Sequence, residues 1–197
     1  MKNIYCIRHG IALHNELFKN NNNNTDIFYN KKYYDTPLTE KGISQAMELS
    51  TSWNDKYKIE LVLVSPLTRT LQTAEYIFND TNIPIIAFDY LKEYPQGLHT
   101  CNKRSDLSIL KDKFKNIDFS NILSEKDNTW DPNNEETIDK LNQRINQFKK
   151  YIDSSKYNNI ALISHSGFIG QLKDNHIRYI ENGETELKYC FPYLLKL

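Results

Sequence analysis

The sequence has no long apolar run, no excess of either charge, no paired cysteines and no internal repeat, and each absence removes a class of function. Its longest apolar stretches, such as Ile160 to Ile163 and Tyr193 to Leu195, fall far short of the roughly 20 residues that cross a bilayer. No membrane association is expected. Twenty-five Lys and Arg balance 25 Asp and Glu over 197 residues, so no global positive field gathers nucleic acid, and any anion site must be local. Cys6, Cys101 and Cys190 are odd in number and lack the CxxC pairing of a structural zinc site, so they read as reduced thiols. The stretch from Met1 is strand-like rather than a signal peptide, which makes the cytoplasm the expected compartment. No Gly-x-Gly-x-x-Gly turn is present to hold a dinucleotide pyrophosphate, and no cofactor is expected.

What is present suits one domain over residues 1–197, with 39% hydrophobic and 12% aromatic residues available for a core. Ile4 to Ile7, Leu61 to Val64, Ile85 to Phe88 and Ile160 to Ile163 are short apolar runs without polar alternation, the pattern of strands buried on both faces of a parallel sheet. Between them, Thr39 to Trp53 opens on a capping residue and sets Ile43, Ala46, Met47 and Leu49 on one helical face; Thr68 to Phe78 and Thr137 to Ile152 behave similarly. This alternation implies a three-layer α/β/α sandwich with a mostly parallel central sheet, to which Glu186 to Leu197 adds an edge strand. Residues 15–34, which include the run Asn20 to Asn24, and residues 98–131 read as insertions capping one edge.

Ligands of such sheets collect at the carboxyl ends of the strands. There the sequence places Arg8-His9-Gly10, Ser65-Pro66, Glu93 and Ser164-His165-Ser166-Gly167. Taken with His14-Asn15 and with Leu67-Thr68-Arg69-Thr70, these motifs in this order resemble the histidine phosphatase superfamily, the group that includes cofactor-dependent phosphoglycerate mutases. The resemblance runs from Ile4 to about Gly170. It implies that His9 is a nucleophile taking up a phosphoryl group, a task that needs a neutral imidazole whose other nitrogen holds its proton against a carbonyl. Arg8 and Arg69 would bind the phosphate oxygens and lower the His9 pKa. His165 would donate a hydrogen bond to an equatorial oxygen in the transition state. Asn15 would contact phosphate through its amide, and Gly10 would leave room for backbone N–H groups to face it. Glu93 is the expected proton donor to the leaving oxygen, with Asp89 the alternative.

The element Gly97-Leu98-His99-Thr100-Cys101-Asn102-Lys103-Arg104, together with Trp130-Asp131-Pro132, Glu136-Thr137 and Arg144, resembles the fungal, plant and protist phosphoglycerate-mutase-like branch. That branch implies a substrate-facing or pocket-bracing role for His99, Lys103 and Arg104; the alternative is that the two cations solvate a capping loop. A metal site is not expected, because arginines beside His9 and His165 would repel a cation. The expected partner is a small-molecule phosphomonoester. The expected activity is that of a metal-independent phosphatase; the alternatives are a mutase using the same phosphohistidine and a phosphate-ester-binding pseudoenzyme. The apolar C-terminal segment also allows strand pairing between two chains as a homodimer.

Overall fold

In the computed structural model, which describes all residues except 182 and 184, the chain runs β1 (Asn3–Arg8), α1 (Leu13–Asn20), α2 (Asp26–Tyr29), α3 (Glu40–Ser52), β2 (Leu61–Val64), α4 (Thr68–Phe78), β3 (Ile85–Ala87), α5 (Leu107–Lys113), α6 (Ile138–Ser154), β4 (Asn159–Ser164), α7 (Ser166–Asp174) and β5 (Pro192–Lys196). Among the described residues five strands form one sheet in the order β3-β2-β4-β1-β5. The pairs β1–β4, β2–β4 and β2–β3 are parallel, and β5 closes one edge antiparallel to β1. Parallel neighbours require helical crossovers, which is why helices cover both faces.

Successive strand residues feed opposite layers. Ile7, Val62, Val64, Ala161 and Ile163 pack with Ala46, Leu49, Leu71 and Ala74 of α3 and α4. Their neighbours Ile4, Cys6, Leu61, Leu63, Ile160 and Leu162 pack with Leu141, Ile145, Phe148 and Phe168 of α6 and α7. The apolar runs do not alternate with polar residues because both faces are buried. Thr39 and Thr137 cap α3 and α6, accepting from the N–H groups of Gly42 and Lys140.

Some sequence expectations need adjusting. Met47 is 53% exposed, because the buried stripe of α3 runs through Gly42, Ala46 and Leu49. The third strand stops at Ala87, and a 3₁₀ turn over Asp89–Leu91 follows it. The first insertion is more regular than its composition suggests, since α1 and α2 occupy much of it. Among the described residues no helix is long and apolar enough to cross a membrane.

Candidate active site

The carboxyl ends of β1, β2 and β4 and the segment after β3 converge on a cavity of about 490 Å³ whose lining includes Arg8, His9, Arg69 and Glu93. His9 is the first residue past β1, and its amide donates to Ser164 O of the neighbouring strand at 3.1 Å. Its ring Nδ1 lies 2.7 Å from Gly10 O. A carbonyl only accepts, so Nδ1 carries the proton and Nε2 keeps its lone pair. That lone pair accepts from Arg69 Nε at 3.2 Å. Burial, and then the charges of Arg69 and Arg8, hold the His9 pKa well below the ordinary imidazole value.

Arg69 sits in the first turn of α4. Its two other nitrogens donate to Cys101 O at 2.7 Å and to Asn102 Oδ1 at 3.0 Å, which fixes the plane of the guanidinium and directs Nε at His9. Arg8 donates to Leu187 O at 2.9 Å and to the Tyr189 hydroxyl at 3.0 Å, while its Nε is buried without a partner. The Tyr189 ring lies 3.8 Å from the guanidinium carbon. His165 is wholly buried, with its ring centroid 5.1 Å from that of His9. Its Nε2 lies 2.8 Å from Ser65 Oγ, and its Nδ1 has no partner.

Glu93 Oε1 accepts from the N–H groups of Tyr94 at 2.8 Å and Gly167 at 3.1 Å, the latter in the first turn of α7. Oε2 has only a distant contact with Ser166 Oγ at 3.4 Å. Burial raises the carboxyl pKa, against the lowering effect of those two amides and of both arginines. A side chain at position 167 would put a Cβ 2.7 Å from Glu93 Oε1, so glycine is required for this approach. The backbone flanking Glu93 is held from α6: Arg144 Nη1 donates to the carbonyls of Tyr90 at 2.7 Å and Lys92 at 2.9 Å. Arg144 also pairs with Glu136 at 2.7 Å, and Glu136 Oε2 accepts from Gln96 N at 3.1 Å.

Of the residues singled out in the sequence, Arg8, His9, Asn15, Arg69, Glu93 and His99 all line the cavity, and His165 lies against His9 beneath it. Asn15 Oδ1 accepts from Ala12 N at 3.2 Å at the start of α1, leaving Nδ2 as the donor this side chain offers. Lys103 and Arg104, expected to face substrate or to brace the pocket, take partners that lie outside the cavity lining. Lys103 sits over the rings of Trp130 at 4.9 Å and Tyr34 at 5.4 Å. Arg104 is fully buried and spends its donors on Asp89 and on the carbonyls of Ser105, Ser124 and Glu125. Neither lines the cavity. Asp89, the alternative acid, faces Arg104 and Lys92 away from His9. The amide of Gly10 donates to Thr73 Oγ1 rather than facing an anion, and this glycine exists because its backbone is pressed against that of Gly42.

Sequence reasoning missed Tyr189 and Asn102, which orient the two arginines, and left His14 undecided. His14 is buried in the cavity wall, bonded to Thr36 Oγ1. Tyr189 lies beyond the recognisable motifs, and a bridge to Arg8, with Cys190 N donating to Arg8 O at 2.9 Å, brings it to the site ahead of β5. Asp35 ties the cavity walls to the α4 end that carries Arg69. Its carboxylate accepts from Thr68 N and Oγ1, both at 2.8 Å, and from Ser105 N at 3.1 Å and Oγ at 2.6 Å.

A histidine with a free ring lone pair between two arginines at the carboxyl edge of a parallel sheet, with a second histidine beneath it and a carboxyl of raised pKa alongside, is an arrangement suited to holding a phosphoryl group. The family model for the histidine phosphatase superfamily (branch 1) matches residues 4–179, and the chain belongs to that superfamily. Phosphoglycerate mutase-like protein 1 of Arabidopsis thaliana is 30% identical over 199 residues, covering 85% of this chain and 69% of the plant protein. The adenosylcobalamin/alpha-ribazole phosphatase of Escherichia coli is 30% identical over 141 residues, covering 70% of this chain and 65% of that one. Among solved structures, the alpha-ribazole phosphatase of Shigella flexneri superposes with a TM-score of 0.59 at 26% identity, over 86% of this chain and 77% of that chain. The likeness to the plant protein agrees with the branch suggested by the Gly97 to Arg104 element.

Proposed function

We propose that this protein is a metal-independent phosphomonoesterase acting through a phosphohistidine on His9. The observation that carries the proposal is the state of the His9 ring: proton on Nδ1 against Gly10 O, lone pair on Nε2, and Arg69 Nε beside that lone pair. On arrival of a phosphomonoester, its oxygens take over the donor of Arg69 and free Nε2 to attack phosphorus in line. The P–N bond forms as the ester P–O bond breaks, and the leaving oxygen takes the proton of Glu93. With Ser65 donating to His165 Nε2, Nδ1 of that ring carries a proton, and together with Arg8 Nε it is a buried donor left for the equatorial oxygens. Glu93, now a carboxylate, accepts a proton from water attacking the phosphohistidine, and phosphate leaves with the resting His9 restored.

Phosphatase is preferred to mutase because Lys103 and Arg104, which could have retained a second charged group, are engaged elsewhere, and the one further cation of the described lining, Lys19, is exposed. The test is to incubate the protein with a labelled phosphomonoester in chelator, quench rapidly, and follow acid-labile label on His9 together with free phosphate. Both are expected. Positional exchange without net phosphate release would indicate a mutase, label without turnover a pseudoenzyme, and activity surviving in His9→Ala would overturn the covalent route.

A further inference from the structure

Beyond the phosphate end, the cavity has a chemistry that phosphoryl transfer does not use. Phe18 of α1, Phe28 of α2, and Tyr94 and His99 from the segment after β3 all line it. Phe18 and Phe28 stack with centroids 5.0 Å apart and planes 30° apart, and Phe28 meets His99 at 5.3 Å, again at 30°. Burial lowers the His99 pKa, with Glu135 at 3.9 Å opposing it, so this ring adds no charge near neutrality. Beyond the two arginines, Lys19 is the one cation among the described lining residues; it is exposed, and the lining also carries the acidic Glu93 and Glu186. The two insertions, which both tie to Asp35, thus build a wall of flat rings rather than a second anion site.

We propose that the alcohol esterified to the phosphate is an uncharged planar ring system, aryl or heteroaromatic, in preference to a carboxylated or doubly phosphorylated body. Offset stacking on the aromatic wall and the removal of ring surface from water favour such a group. A carboxylate would meet only the exposed Lys19 there, since Lys103 is held over Trp130 and Arg104 is buried. This inference rests on the phosphatase reading and adds the substrate class to it.

The test compares three esters with alkoxide leaving groups: 2-naphthylmethyl phosphate, glycerol 3-phosphate and 3-phosphoglycerate. We expect kcat/KM at least tenfold higher for the naphthylmethyl ester than for either of the others, and expect Phe28→Leu, which keeps an apolar side chain but removes the ring, to narrow that ratio severalfold. Equal rates, or a preference for 3-phosphoglycerate, with phosphohistidine still formed on His9, overturn the ring assignment and leave the phosphatase reading standing. Absence of label on His9 with all three esters overturns both. Because the ratio is read first on the unaltered protein, a misfolded variant does not decide the matter.

Discussion

Replacing Glu93 by Gln isolates the proton-donor role with little disturbance to the fold. The amide oxygen of Gln takes the place of Oε1 and still accepts from the amides of Tyr94 and Gly167, now at 2.8 and 3.1 Å. The nitrogen replaces Oε2, whose one distant contact is Ser166 Oγ, so the stability change should stay within about 1 kcal/mol. What is lost is the transferable proton. General acid catalysis of this kind contributes roughly 10²- to 10⁴-fold, which is about 2.7–5.5 kcal/mol in the barrier. The loss should fall on esters of basic alkoxides and largely spare 4-nitrophenyl phosphate, whose leaving group departs as an anion. Steady-state kcat/KM of the variant on an alkyl phosphate and on the nitrophenyl ester reads this difference directly. The raised pKa of Glu93 further predicts that alkyl-ester hydrolysis by the unaltered enzyme extends to higher pH than an ordinary carboxylic acid would permit. Equal losses on both esters would show that Glu93 acts only as a structural acceptor, and the proposed chemistry would fail with it.

Three further outcomes follow from the same geometry. Gly167→Ala forces a Cβ to within 2.7 Å of Glu93 Oε1, so it should reproduce the selective loss on alkyl esters while the intermediate still forms from the nitrophenyl ester. Arg144→Met removes the clamp on the carbonyls of Tyr90 and Lys92 and leaves Glu136 unpaired; thermal denaturation should show a loss of about 3–5 kcal/mol, with a larger drop in kcat on alkyl than on nitrophenyl esters in the fraction that folds. His9, His14 and His165 are held below the ordinary imidazole value of 6.5, burial being the first cause for each. Their contribution to stability is present above that value and lost as pH falls toward the depressed folded values, by up to about 1.4 kcal/mol per pH unit for each ring. Melting curves from pH 8 to 5 should therefore decline on the acid side, and His14→Asn should make the decline shallower.

The parallel strands were legible because apolar runs as short as Leu61–Val64, without polar alternation, suit strands buried on both faces, and the candidate site was legible because Arg8-His9, Ser65 and Ser164-His165 stand at or directly after strand ends. The loss of legibility begins where a side chain's partner is distant in sequence. Lys103 and Arg104 read as a basic pair either facing a substrate or bracing the pocket, and no local pattern announces the partners they take, Trp130 and the carbonyls of 124 and 125. Tyr189 illustrates the reverse case: an aromatic residue in an inconspicuous stretch joins the cavity wall once its backbone bridges to Arg8. The helices α1 and α2 were hidden by the polar, Asn-rich composition around them, since α1 buries only His14 fully and α2 only Ile27.

The carboxylate of Asp35 has a consequence for how such a site changes over generations. It is buried, lies at a backbone φ of 39°, and joins the first turn of α4 to the start of the second insertion. Thr68 is one residue from Arg69, so the insertions, which we propose select the substrate, hang from the candidate site through a joint whose chemistry does not depend on their sequence. Loop sequences on either side of that joint are free to drift, lengthen or be exchanged for others while the acceptor–donor set of Asp35, Thr68 and Ser105 is kept. New specificities can then be grafted onto an unchanged reaction, and a designer transplanting these loops should move the three residues as one unit.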